Sequence, residues 1–306
     1  MKKVIITGSS GFIGKNLIPY FNNLDAEFFL IGRKNLNVSE LPNVHYIKGD
    51  ILNHLEISRI CKDLCASHLV HIAWTVSPSN TSLPQNFDLV KASINLLEEF
   101  QKNGGKRFIS IGSCYEYNWD QGICKEDLTP TRSKSSYSAC KNSFREYAEA
   151  FCGQFNIEIA WARLFFLFGP HENPKRLIPH IILSLLNNEK AIIKNGGIYR
   201  DYLYANVAAE FISKLIFNNY TGNLNVCSGN PIQLGEIGKT IASILGKPEL
   251  LQVCYPEVKE NKVLYGDTSK LESIFGTENK QSIHTQLEET IDWWKLKLNL
   301  TKKVNI

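Results

Sequence analysis

A chain of 306 residues is long enough for one large domain or for two lobes, and its 43% hydrophobic and 21% charged residues are the make-up of a folded globular protein. The net charge of +4 is small and the lysines and arginines are scattered, which argues against a nucleic-acid partner but leaves room for an anionic small molecule. No run approaches the roughly 20 apolar residues of a membrane span, and the cysteines at 61, 65, 114, 124, 140, 152, 227 and 254 lack the paired spacing of a zinc site. Reduced thiols in a cytoplasmic protein with no metal centre and no membrane partner are the expectation.

The first half alternates short β-branched runs with longer helical patterns, the signature of a parallel α/β sheet covered on both faces. The runs predict strands at 3–7, 27–31, 44–48, 68–73, 107–112 and 158–164, and the periodicity predicts helices at 12–22, 55–64, 83–102 and 136–155. Right-handed crossovers stack such units into a doubly wound Rossmann sheet. After about residue 165 the alternation loosens into shorter helices between proline-marked segments, which predicts a smaller, interleaved second lobe.

Thr7-Gly8-Ser9-Ser10-Gly11-Phe12-Ile13-Gly14 follows the first strand and opens the first helix. Gly8 permits the tight turn, Gly11 lets the backbone approach a pyrophosphate, and Gly14 allows the helix to pack closely on the sheet. The end of the second strand then selects between NAD, whose ribose 2′-hydroxyl suits an acid, and NADP, whose 2′-phosphate suits an arginine. It reads Leu30-Ile31-Gly32-Arg33-Lys34. Arg33, with Lys34, Ser9 and Ser10, therefore predicts NADP, with NAD as the alternative; the bland reading of Arg33 is a solvated loop residue. Asp50 and Ile51, closing the third strand, are placed against the adenine edge, and Ala73, ending the fourth, where a dinucleotide passes close by. Thr75, two residues on, is either a substrate contact or a loop-packing residue.

The fifth strand ends in Gly112-Ser113-Cys114-Tyr115-Glu116-Tyr117, and about 24 residues later comes Tyr137-Ser138-Ala139-Cys140-Lys141 at the start of a helix. Residues four apart share a helix face, so the Tyr137 hydroxyl and the Lys141 ammonium can share a site. A phenol, with a pKa near 10, moves protons poorly at neutral pH, and a nearby ammonium favours the phenolate. Ser113 is placed to hydrogen-bond a reacting oxygen. Taken singly, Ser113 is also a strand-end cap and Tyr137 with Lys141 an amphipathic face; together, after a dinucleotide turn, they point to oxidoreductase chemistry.

The combination of TGSSGFIG, GSCYEYN, YSACK and RDYLYANVAAE resembles the extended short-chain dehydrogenase/reductases over nearly the whole chain, most closely the nucleotide-sugar epimerases, dehydratases and 4-keto-sugar reductases. The resemblance implies Ser113, Tyr137 and Lys141 as the catalytic triad, with Lys141 also reaching the nicotinamide ribose. It implies a nucleotide-sugar pocket in the second lobe, where Arg200 maps onto a pyrophosphate clamp; a surface ion pair is the alternative role for Arg200. Sugar dehydratases of this family carry an Asp-Glu pair directly after the catalytic hydroxyl, whereas Cys114-Tyr115 stands here. That argues against dehydration and leaves Cys114 on the substrate side. His171, in Gly169-Pro170-His171, matches a turn of the family's GDP-fucose synthases, but their cysteine stands one place later than Cys114. His171 is then a pocket-wall or turn residue, with proton transfer as the alternative.

The expected division is a dinucleotide-binding domain over 1–165, rejoined by a segment at about 203–226, and a nucleotide-sugar lobe over 166–202 and 227–306. The expected reaction is NADPH-dependent reduction of a keto group, at C4 of a nucleotide-activated deoxysugar. The alternatives are an NAD-dependent 4-epimerase and a non-catalytic NADP-binding redox sensor. The resemblance further implies a homodimer through the helices at 83–102 and 136–155. Trp293-Trp294, on a helical pattern, reads as core or interface packing.

Overall fold

Val4, Ile5 and Ile6 are completely buried because β1 (Lys2–Thr7) is paired along both edges by parallel strands. This is the middle of the main sheet in a computed structural model of the chain, which describes residues 1–74, 84–257, 262–276 and 281–304. From β1 the chain runs through α1 (Phe12–Leu17), β2 (Ala26–Gly32), β3 (Val44–Lys48), α2 (His54–Leu64), β4 (His68–His71) and α3 (Gln85–Lys102). It continues through β5 (Arg107–Ser113), the short β6 (Ile123–Cys124), α4 (Ser136–Gln154), β7 (Glu158–Leu164), β8 (Phe166–Phe168), α5 (Leu177–Leu186), β9 (Ala191–Ile193) and β10 (Tyr199–Tyr204). The last elements are α6 (Ala205–Phe217), β11 (Gly222–Val226), β12 (Pro231–Gln233), α7 (Leu234–Ile244), β13 (Leu251–Val253), β14 (Val263–Gly266), α8 (Ser269–Phe275) and α9 (Ile283–Val304).

Seven strands form one parallel sheet in the order β11-β7-β5-β4-β1-β2-β3. The winding reverses between β4 and β1, and a doubly wound sheet opens its ligand crevice at such a switch point, beyond the carboxyl ends of the strands. Every residue of β5 is buried. One core of this unit joins Ile5, Leu69 and Phe108 of the sheet to Ile57 and Ile60 of α2, Leu96 and Phe100 of α3, and Phe144 of α4.

The chain divides into two compact units. The first comprises Met1–Asn118, Glu126–Leu164 and Ala208–Val226, and the second Trp119–Lys125, Phe165–Val207 and Cys227–Ile306. The second unit is a mixed α/β lobe. β12, β10, β14 and β6 lie side by side with β8 also on β10, and β13 pairs with β9. Its core is made by Ile181 and Ile182 of α5, Ile237 and Ile241 of α7, and Leu287, Ile291 and Trp294 of α9.

Three elements depart from the periodicity. The first helix was expected to reach residue 22, but α1 stops at Leu17 and the chain goes on as a 3-10 turn, Ile18–Asn23. Pro19 causes this, since it lacks the N–H an α-helix needs and its ring crowds the preceding turn. β4 ends at His71 rather than Ala73, because the Ala73 N–H turns to the Thr7 side-chain oxygen (3.3 Å). The helix expected from residue 83 begins at Gln85, behind Pro84. Among the described residues no helix is long and apolar enough to cross a membrane.

Candidate active site

The turn after β1 is shaped by steric limits. Gly8 has φ +76, and a Cβ there would stand 2.6 Å from the Ala73 nitrogen; a Cβ on Gly14 would stand 2.4 Å from the Gly8 carbonyl oxygen. Ile72 donates its N–H to the Thr7 carbonyl (3.2 Å), so the phosphate turn and the end of β4 flank the switch point together. The Ser9 hydroxyl is buried and has no hydrogen-bond partner among the described residues. A backbone cradle with an orphaned hydroxyl fits a dinucleotide pyrophosphate, which Gly8, Ser9, Ser10, Gly11, Phe12, Ile13 and Gly14 would hold. The Ser10 hydroxyl lies 3.9 Å from where a Cβ on Gly32 would stand, which sets it beside the end of β2.

Arg33 follows β2 directly and its side chain is 69% exposed, with Nη1 4.0 Å from Asp50 Oδ2. The arginine thus has a carboxylate beside it, which the reading of Arg33 as a bare 2′-phosphate ligand did not include. Asp50 also accepts the Leu52 N–H (3.1 Å) and donates its own N–H to Glu56 (3.0 Å), and Ile51 packs on the core of this unit. Thr75 lies outside the described residues.

At the end of β5, Ser113 caps the 3-10 turn Cys114–Glu116: its Oγ accepts the Tyr115 N–H (3.2 Å) and its N–H is held by Glu116 (2.7 Å). The capping role and a role toward substrate are compatible, because the Ser113 side chain also acts on the Tyr137 phenol, favouring its ionised form. Tyr137 opens α4 and Lys141 stands one turn on, both buried. The spacing led to the expectation that Lys141 lowers the phenol's pKa. Instead burial dominates and pushes it well above the usual phenol value; the Ser113 side chain opposes this, while the Glu116 charge adds to it. The Lys141 Nζ donates to the Ile111 carbonyl (2.8 Å), and burial pushes its pKa down to about 7 against the pull of Glu116.

Glu116, which the sequence did not single out, organises this corner. Its fully buried carboxylate accepts from the Ser113 N–H, the Trp161 indole N–H (3.0 Å) and the Arg163 Nε (2.9 Å). Arg163 in turn donates to the Tyr117 hydroxyl (2.9 Å), which donates to Asn225 (2.7 Å). A charged residue in an otherwise apolar strand, as in Trp161-Ala162-Arg163, is the signal that could have revealed the network, since buried charges need partners.

A second chain of hydrogen bonds fixes His71. Ser93 donates to the Leu89 carbonyl (2.6 Å), so its oxygen accepts from His71 Nε2 (2.8 Å), leaving Nδ1 to accept from the Thr7 hydroxyl (2.8 Å). Burial holds this imidazole neutral, with its pKa pushed down to about 3.

Cys114 is buried next to Ser113. In the second unit Arg200 donates to the carbonyls of Tyr199 (2.7 Å) and Lys262 (3.4 Å), and its guanidinium lies 5.8 Å from the ring centres of both Trp119 and Phe166. Its neighbour Asp201 is fully buried and accepts the N–H groups of Ser228 (2.7 Å), Gly229 (3.0 Å) and Gly266 (3.1 Å) and the Ser228 hydroxyl (2.6 Å). His171 is an exposed turn residue at φ 71, its ring 4.8 Å from that of Trp293.

A parallel Rossmann sheet with a glycine-rich first turn, and with Ser, Tyr and Lys beyond its fifth strand, defines a dinucleotide-dependent enzyme. The chain belongs to the NAD dependent epimerase/dehydratase family, whose model matches residues 4–227, and it is an NAD(P)-dependent enzyme of nucleotide sugars. It is similar to the UDP-glucuronate 4-epimerase of Thermodesulfobacterium geofontis, 23% identical over 99% of each chain. It is also similar to the GDP-L-colitose synthase of Yersinia pseudotuberculosis, 26% identical over 95% of this chain and 97% of that protein. Among solved structures, the UDP-N-acetylglucosamine 4-epimerase of Methanobrevibacter ruminantium M1, in complex with UDP-N-acetylmuramic acid, superposes with a TM-score of 0.87. It is 24% identical and covers 97% of this chain and 99% of that one. The relatives are mostly epimerases and dehydratases, which backs the alternative of an epimerase better than the leading expectation of a reductase.

Proposed function

We propose that the chain is a nucleotide-sugar 4-epimerase, which oxidises the C4 alcohol of a sugar, lets the keto sugar turn over, and reduces its other face. The observation that carries this reading is the buried pair Ser113 and Tyr137, the serine favouring the ionised phenol, with Lys141 one turn on, in a corner whose carboxylate, Glu116, is fully engaged. Glu116 is therefore no acid for eliminating water, and the relatives other than dehydratases include several 4-epimerases. A dinucleotide held by the turn from Gly8 to Gly14 would supply the acceptor and donor of the hydride. Tyr137 takes the proton from the sugar hydroxyl as it is oxidised and returns it on reduction, Ser113 holds the same oxygen, and a charged Lys141 stabilises the phenolate. Arg200 is the proposed pyrophosphate ligand and Cys114 a proposed wall beside the sugar.

The test is to incubate the purified protein, without added cofactor, with UDP-, GDP-, CDP- and dTDP-linked hexoses. Interconversion of C4 epimers with no net change in nicotinamide absorbance is expected. Stoichiometric consumption of NADPH with a 4-keto-6-deoxy nucleotide sugar, and no epimerisation, would overturn the reading. That outcome would establish the second reading, a 4-keto reductase, which Arg33 favours because no acid ends β2. Under the second reading Arg33→Ala weakens NADPH binding about tenfold, the loss of one charge-assisted contact, and leaves NADH binding unchanged.

A further inference from the structure

A buried ammonium needs acceptors or a counter-charge. Lys141 is only 3% exposed, yet among the described residues no carboxylate forms an ion pair with it. Besides the Ile111 carbonyl, its Nζ meets the face of Trp74, 3.8 Å from the ring centre and well inside the roughly 6 Å over which an aromatic face attracts a cation. The ring is itself fixed. Its N–H donates to Oδ1 of the buried Asn86 on α3 (3.1 Å), and its plane packs on Phe144 of α4, with ring centres 6.4 Å apart. It also stands edge-on to the Tyr137 ring, at 6.4 Å. Trp74 thus links the end of β4, α3 and α4 to Tyr137, proposed to move the proton, and to Lys141, proposed to stabilise its phenolate.

The other ionisable groups around Lys141 are Glu116 after β5, His71 on β4 and Tyr137 on α4. Glu116 is ion-paired with Arg163 at 2.9 Å, and His71 is hydrogen-bonded at both ring nitrogens. None of them supplies a direct counter-ion.

We propose that Trp74 is a positioning residue: its indole face, locked by Asn86, seats the Lys141 ammonium where a carboxylate would otherwise stand and keeps it charged beside Tyr137. The catalytic consequence rests on the hydride-transfer reading above; the seat itself does not. A cation–π contact favours the charged amine, so an apolar side chain of similar bulk lowers the lysine's pKa. Starting from about 7, Lys141 then becomes mostly neutral near pH 7 and ceases to stabilise a phenolate.

The experiment titrates the full chain by NMR with 13C-labelled lysine, using Lys141→Met to assign the signal. Trp74→Leu is expected to lower the Lys141 midpoint by about one pH unit and Trp74→Phe by less than half of that. Because the leucine variant can disturb packing, the native chain is also grown with mono- and multiply fluorinated tryptophans, which weaken the negative ring face at nearly constant shape. The midpoint is expected to fall stepwise with fluorine content. A midpoint unmoved by fluorination and by Trp74→Leu overturns the seat. The pH profile of kcat separates this from the functional reading: its high-pH limb is expected to move with the NMR midpoint. A moved midpoint in a protein that turns over no nucleotide sugar upholds the seat and overturns the proposed function, whereas an unmoved midpoint in an active enzyme does the reverse.

Discussion

β5 and β10 each end or run beside residues proposed to touch a ligand, yet they are held in opposite ways. β5 is buried along its whole length between β4 and β7, and apolar packing holds it. The polar residues at its tip are supported by a buried charged network around Glu116. β10 is half-buried in a sheet of short strands, and a single carboxylate, Asp201, ties it to the backbone at 228–229 and at Gly266. A long apolar strand can leave its end for chemistry; a short one needs a buried anchor of its own.

The comparison can be broken most directly at Glu116. Glu116→Ala strands Arg163 and the Trp161 N–H in the interior, and a loss of about 3–5 kcal/mol in urea unfolding is expected. A loss no larger than a typical surface substitution would show that the network is dispensable. Tyr137→Phe separates chemistry from support, since it removes a hydroxyl and leaves the apolar ring in place. Turnover is expected to fall about 100-fold or more while urea unfolding hardly changes. In the second unit, Asp201→Ala leaves neutral amides rather than a charge unpaired, so about 2 kcal/mol is expected. Hydrogen exchange should then accelerate at 228–229 and Gly266; a loss exceeding that of Glu116→Ala would reverse the comparison.

A separate expected effect is one of pH. Burial is the main cause that holds His68 and His71 below the ordinary imidazole value of 6.5, at about 4 and about 3. As pH falls below 6.5 the unfolded chain takes up protons before the folded one. The stability is therefore fully present above that pH and is lost toward the folded-state values, with a slope of up to about 1.4 kcal/mol per pH unit for each histidine. His71→Leu is expected to roughly halve the slope between about pH 6 and pH 4, measured by urea unfolding at each pH.

The first unit was legible because its signals are local. Continuous apolar runs gave β1, β5 and β7 nearly to the residue, and three glycines placed the first turn. Pro19 was visible too, but the apolar periodicity running through it masked its effect. The strands of the second unit stayed hidden because most are only two to four residues long, too short for a period to show. Spacing brought Tyr137 and Lys141 to one helix face but could not say that Lys141 would meet Trp74, since that contact is made across elements far apart in sequence. Glu116 was missed for the same reason: its partners, Trp161 and Arg163, lie on another strand.

The alternation on β10 has a consequence for how this chain can change over evolutionary time. Asp201 and Arg200 are neighbours, so their side chains leave opposite faces of the strand. Insertion or deletion of a single residue between the fixed ends of β10 would exchange them, driving a guanidinium into a nest of N–H donors and putting the carboxylate where an anion is proposed to bind. Length variation among descendants of this chain is therefore expected to be purged from 199–204.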